Sequence, residues 1–194
     1  MALGESIVAI GVGAAGALNL GIGTVAVLGV ALAAAMWWIY FDVVALISAR
    51  RLAEAEVGRA QNELARDSYS YIHLALVAGV VLVALGMKTS IGHHDEHLHD
   101  VPAFALLGGT ATYLLGLVGF RYRHIHTINR QRLGLAIVLL LLIPVATELP
   151  AIATVAIADV LIWAMIAYEH QGYDERREQL RREASVSHSA PAET

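Results

Sequence analysis

The chain has 194 residues, 57% of them hydrophobic and 15% charged, with a formal net charge of −4, whereas soluble domains carry roughly 25% charged residues. That composition, with a mean hydropathy of +0.61, excludes an ordinary water-soluble globule. The basic residues fall in separate segments, which excludes a continuous face for nucleic acid, and with no cysteine there is no disulfide, thiol nucleophile or Cys-ligated metal centre.

Six apolar stretches follow in chain order: Leu3 to Leu20, Ile22 to Ile47, Tyr69 to Met87, Val101 to Phe120, Leu133 to Ala146, and Pro150 to Tyr168. About 20 apolar residues are needed to cross the hydrocarbon core as a helix. The stretches show no alternation of period two, so a closed barrel is not expected. The expected fold is all-α, a polytopic transmembrane bundle of about six spans occupying residues 1–172. The fifth stretch is short, and Arg130 and Arg132 beside it can extend toward the headgroups.

Arginine and lysine alternate between the connections. The segment from Arg50 to Arg66 has four, the stretch from Arg121 to Arg132 has four, and the tail has Arg176, Arg177, Arg181 and Arg182; the remaining connections hold only Lys88. By the positive-inside rule the arginine-bearing segments and both termini are cytoplasmic. Trp37, Trp38, Tyr40, Phe41, Tyr69, Tyr71, Phe120, Tyr122, Tyr168 and Tyr173 fall at the same ends, where aromatic rings favour the headgroup boundary. Residues 50–67 suggest a short charged surface helix. Tyr173 to Arg182 continue the last span as a charged helix, and Ser185 to Thr194, with Pro191, lack the apolar content to fold, so 173–194 is read as a charged, disordered tail. The start Met-Ala-Leu-Gly-Glu has no basic region of a secretory signal.

Polar groups inside the apolar runs are the candidate sites, because an acid at the centre of a spanning helix costs about 2.5–3.5 kcal/mol on insertion scales. Asp42 precedes Arg50 and His73 follows Arg66 by similar intervals, placing both roughly 10–12 Å from their arginines. With Glu5 they form a candidate polar layer that could bind a proton or cation; snorkelling and structural hydrogen bonds are the simpler reading. Asp159, near the middle of the last span, is the costliest single residue. It is either functional or held by an interhelical hydrogen bond from Thr110 or Thr112. Pro144 can kink the fifth span and free a carbonyl. Small residues such as Thr112 and Gly116 at i, i+4 suggest close helix packing, and no lysine follows the glycines as a phosphate loop requires.

The connection His93-His94-Asp95-Glu96-His97-Leu98-His99-Asp100 is rich in imidazole and carboxylate. His93, His94, His97 and His99 are candidate ligands for weak binding of Zn²⁺, Ni²⁺ or Cu²⁺, with His93 and His97 on one face if the loop is helical. A solvated, pH-sensitive loop is the simpler reading. No cofactor is expected, and no Ser-His-Asp or metal motif lies inside the bundle, so no enzyme is expected either.

Certain stretches resemble the bacterial low temperature requirement A family: Leu3-Gly4-Glu5-Ser6-Ile7-Val8-Ala9, Ala34-Ala35-Met36-Trp37-Trp38-Ile39-Tyr40-Phe41-Asp42, and Ala65-Arg66-Asp67-Ser68-Tyr69-Ser70-Tyr71-Ile72-His73-Leu74. The resemblance continues through Val77 to Gly86, Tyr113-Leu114-Leu115-Gly116 with Phe120-Arg121, and Arg130-Gln131-Arg132. It implies a C-terminal half, since full members are about twice as long and carry a preceding half with its own acidic and Trp-Trp helices. The family's activity is not established, so permeation of protons, ions or small solutes is the leading expectation. The alternative is a non-transporting structural or stress-tolerance protein, or a partial chain that assembles with its missing N-terminal half. Expected partners are the lipid bilayer and either a homo-oligomer or that missing half, in the bacterial cytoplasmic membrane.

Overall fold

A computed structural model describes Gly4, Val8, residues 20–41 and residues 72–189, the last through its backbone alone at residues 124–125 and 172–189. The first expected span, apart from Gly4 and Val8, and the expected surface helix at 50–67 lie outside the described residues. So do Glu5 and Asp42.

Among the described residues the fold is helical, with one isolated antiparallel bridge between His97 and Pro150. Helix α1 is Leu20–Ile39, α2 His73–Gly92, α3 Asp100–Ala103, α4 Gly109–Ile125, α5 Arg130–Ala146 and α6 Ala151–Ser189; a π-helical turn, Phe104–Gly108, joins α3 to α4 in one rod. Four helices are long and apolar enough to cross a membrane: Leu20–Ile39, His73–Gly92, Asp100–Arg123 and Ala151–Gln171. Helix is the form that apolar, Val- and Ile-rich runs must take in lipid, because it satisfies every backbone group within the segment. Helix α5, with 17 residues, spans about 25 Å at ~1.5 Å per residue, a little less than the ~30 Å hydrocarbon core.

Helix α6 has 39 residues, so the last span runs on as helix through Tyr173 to Arg182, the stretch expected to be a charged helix, and beyond it to Ser189, into the stretch from Ser185 that was not expected to fold. A helix already formed in the membrane supplies the costly nucleus, and each further residue then needs only propagation. The sequence from Tyr173 to Ser189 contains neither Gly nor Pro and is rich in the helix formers Glu, Arg, Gln and Leu.

Helix α2 packs backbone to backbone against α4 and the π-helical turn before it. A Cβ added at Gly79 would lie 2.8 Å from both the Gly109 carbonyl oxygen and the Tyr113 amide nitrogen, and one at Gly86 would lie 2.7 Å from the Leu106 amide. Both glycines are required because the opposing backbones touch, the small-residue packing that lipid-embedded helices use. A rim of exposed apolar side chains faces outward, including Val27, Val81, Leu85, Leu115, Leu141 and Val160, which suits lipid and not water.

The antiparallel helices give the bundle two unlike ends. At one, the segment between α2 and α3 lies against the α5–α6 turn: the Ala151 amide donates to the Glu96 carbonyl at 2.9 Å, Ile152 to His94 at 3.1 Å, and Leu98 to Leu149 at 3.2 Å. Two amides at the start of α6, which have no partner within the helix, are thereby satisfied by the histidine-rich connection. The His94 ring occupies the space that a side chain at Gly21, at the start of α1, would fill. The other end gathers Arg121, Arg123, Arg130 and Arg132. Trp37, Trp38, Phe41, Tyr122 and Tyr168 are exposed at that end as expected of a headgroup belt, whereas Phe120 is buried in the core.

Candidate functional site

The buried positions of α6 are Ala151, Thr154, Val155, Ala158, Asp159, Ile162, Met165 and Ile166. Their spacing of three and four is that of a core-facing stripe, and one member of the stripe is an acid. Asp159 is 4% exposed, and neither carboxylate oxygen has a hydrogen-bond partner among the described residues. The expected interhelical bond is not formed: the Thr110 hydroxyl donates to the Leu106 carbonyl at 2.8 Å and the Thr112 hydroxyl to Gly108 at 2.7 Å. Within a helix, a Ser or Thr hydroxyl readily turns back to its own i−4 carbonyl. Ser90 does the same to Gly86 at 2.9 Å.

The next turns of the same helix present the opposite case. Glu169 receives the Arg132 guanidinium through Nε at 3.0 Å and through the second nitrogen at 2.8 Å, and the Asn129 amide at 2.8 Å. The side chains of Arg132 and Glu169 are 4% and 11% exposed. Asn129 also caps α5, its Oδ1 accepting from the Gln131 and Arg132 amides at 3.1 and 3.3 Å, so a single side chain starts one helix and binds the next. The chain enters this cap through His126, which ends α4 with φ 57° and donates its amide to Tyr122 at 2.9 Å. Sequence reasoning assigned Arg132 to the headgroups and did not single out Glu169. The signal was present, because Glu169 continues the three-and-four spacing from Ile162 and Met165.

His73 begins α2 with its ring edge-on to Tyr40, the centroids 6.1 Å apart, and its Nδ1 is buried without a partner among the described residues. The other members of the expected polar layer, Glu5 and Asp42, lie outside the described residues, so His73 alone of that layer is placed. Nearby, Trp38 meets His170 at 6.0 Å, and the Tyr113 hydroxyl of α4 donates to the Met36 carbonyl of α1 at 2.7 Å. Asp159 is separate from this arginine end, about 15 Å along α6 from Glu169 at ~1.5 Å per residue.

The histidine-rich connection is a turn followed by extended chain, so His93 and His97 do not share a helical face. His93 Nδ1 approaches the Thr89 carbonyl at 3.4 Å, His94 Nε2 lies 3.0 Å from Asp95, and His97 and His99 are exposed. Among the described residues no group of three or more His, Asp or Glu side chains is placed to hold a metal ion. An open cleft of about 380 Å³ lies beside this connection, lined by Leu98, His99, Asp100, Val101, Thr147 and Glu148.

Long apolar helices and a lipid-suited exterior define an integral membrane protein of the helical-bundle class. Residues 1–167 match the bacterial low temperature requirement A protein (LtrA) family, and the chain belongs to it. No curated protein and no solved structure matches the chain.

Proposed function

We propose that this protein is a multi-pass component of the bacterial cytoplasmic membrane that moves protons, ions or small solutes, with Asp159 as the working group. The unpartnered, buried carboxyl of Asp159 carries the reading. An acid that stability alone would replace with an aliphatic residue is by default functional, whereas the buried hydroxyls of Ser90, Thr110 and Tyr113 each donate to a backbone carbonyl. The protein works as a permease and not as an enzyme. In proteoliposomes, Asp159→Asn should fold and insert as the original chain does while its flux falls at least tenfold, read with an internal pH dye and by solute counterflow. Equal flux from the two proteins rejects the assignment.

The same proposal includes six spans, with both termini and the arginine end in the cytoplasm. The gathering of Arg121, Arg123, Arg130 and Arg132 at one end supports this orientation. The natural absence of cysteine makes single-cysteine variants unambiguous. In intact cells a membrane-impermeant maleimide should modify His99→Cys and leave Thr127→Cys untouched; the reverse pattern inverts the topology.

A second reading, a non-transporting structural or stress-tolerance protein, is favoured by the α2–α4 packing, whose touching backbones leave no room for those two helices to slide. It predicts that Asp159→Asn changes nothing but folded yield.

A further inference from the structure

We propose that the ligand of Asp159 is a proton and not a metal cation. The inference rests on the reading of Asp159 as the working group and names what that group binds.

Coordination chemistry separates the candidates. A hard cation such as Ca²⁺ or Mg²⁺ takes about six or more oxygen ligands, and Asp159 supplies two. Among the described residues the helices packed against α6 are α1, α5 and α2, and none of these brings a second carboxylate. Helix α1 has no titratable or charged side chain at all; α2 carries His73 at its first residue and Lys88 in its last turns; α5 carries Arg130 and Arg132 in its first turn. On α6 the described titratable groups besides Asp159 are Tyr168, Glu169 and His170, more than two turns away. Among the described residues every charged group facing this helix therefore belongs to one end of the bundle or the other, and the level of Asp159 is apolar.

A hydrated ion does not resolve the shortage. Both carboxylate oxygens are without accessible surface, and α6 presents Val155, Ile162 and Ile166 on the turns around them. An ion keeping its water would need a wet, polar-lined space beside the carboxylate, since a buried water itself requires two to four polar partners. A proton needs no shell. On one carboxylate oxygen it forms an O–H bond and cancels the buried charge, and its departure restores the carboxylate, so no other ligand has to move.

Dicyclohexylcarbodiimide, which enters lipid and reacts with the protonated form of a carboxyl, tests the assignment on the full chain in proteoliposomes. The acid adds across the reagent and rearranges to a stable acylurea, detected at residue 159 by peptide mass. The expected result is labelling at Asp159 that falls as pH rises and is unchanged by exchanging choline for Li⁺, Na⁺, K⁺ or Mg²⁺ at fixed ionic strength. Protection by any of these cations at constant pH overturns the inference in favour of a metal-ion site. Because reagent access could limit labelling, pH-difference infrared spectra provide the second measurement: a carbonyl stretch of a protonated acid should be present in the original chain and absent from Asp159→Asn. No such band at any pH at which the protein stays folded also overturns the inference. Neither measurement requires transport, so a titrating Asp159 in a protein without flux sinks the permeation reading and leaves the ligand assignment standing.

Discussion

Asp159 and Glu169 occupy one helix and are both largely buried, yet their surroundings differ in every respect that matters to a charge. Glu169 has a bidentate guanidinium and an amide, and Asp159 has no donor among the described residues. The difference teaches that burial of an acid says little until its partners are counted. A buried ion pair with satisfied hydrogen bonds fixes geometry, while a buried acid without partners persists against stability and marks a place where the group itself is used. On the proposed reading Glu169 is a clamp and Asp159, ten residues earlier on the same helix, is a site.

The largest effect should come from unbalancing the clamp. Arg132→Met keeps the length and apolar stem of the side chain but leaves Glu169 buried without its guanidinium, which should cost about 3–5 kcal/mol. Adding Glu169→Gln removes the stranded charge and should restore most of that loss, because a neutral amide can still meet Asn129. Unfolding in detergent micelles, followed by the fluorescence of Trp37, Trp38 and Trp163, measures both. If the single and double variants are equally stable, Glu169 is not dependent on Arg132 and the contrast with Asp159 disappears.

How much of this contrast could be read beforehand depends on the residue. Asp159 was legible from position alone, since an acid near the centre of an apolar run is costly wherever its helix packs. Its lack of a partner was not, because Thr110 and Thr112 could equally have turned toward it or toward their own carbonyls, and only the packed structure decides. Glu169 sat where apolar span meets charged tail, so counting charge placed it with the solvated residues; its stripe spacing identified the face, but the arrival of Arg132 depends on the α4–α5 connection bending through His126. The helices themselves were legible as unbroken apolar runs, with boundaries shifted by a few residues: the fourth expected span, from Val101 to Phe120, is a rod from Asp100 to Ile125, and the fifth, from Leu133 to Ala146, begins at Arg130. The seven-residue interval of Gly79 and Gly86 differs from the i, i+4 spacing by which small residues such as Thr112 and Gly116 mark close packing. The docking of the histidine-rich connection uses backbone amides and carbonyls, which leave no mark in side-chain sequence. Its histidines attract attention as metal ligands, while its carbonyls are what close the start of α6.

A smaller effect of opposite sign should follow from removing Asp159. Leucine branches at Cγ as aspartate does, so Asp159→Leu replaces two unpartnered oxygens with two methyl groups of similar placement among Val155, Ile162 and Ile166. An unsatisfied buried polar group costs about 1–3 kcal/mol, and relieving it should raise stability in detergent by an amount in that range, while flux in proteoliposomes is lost. Asp159→Asn should gain less, because its amide still lacks partners in the same apolar stripe. The pairing of higher stability with lost function is the pattern of a group kept for its chemistry. Were Asp159→Leu instead to lose stability as Arg132→Met does, Asp159 would have a donor after all, and the two acids of α6 would be two structural clamps and not a clamp and a site.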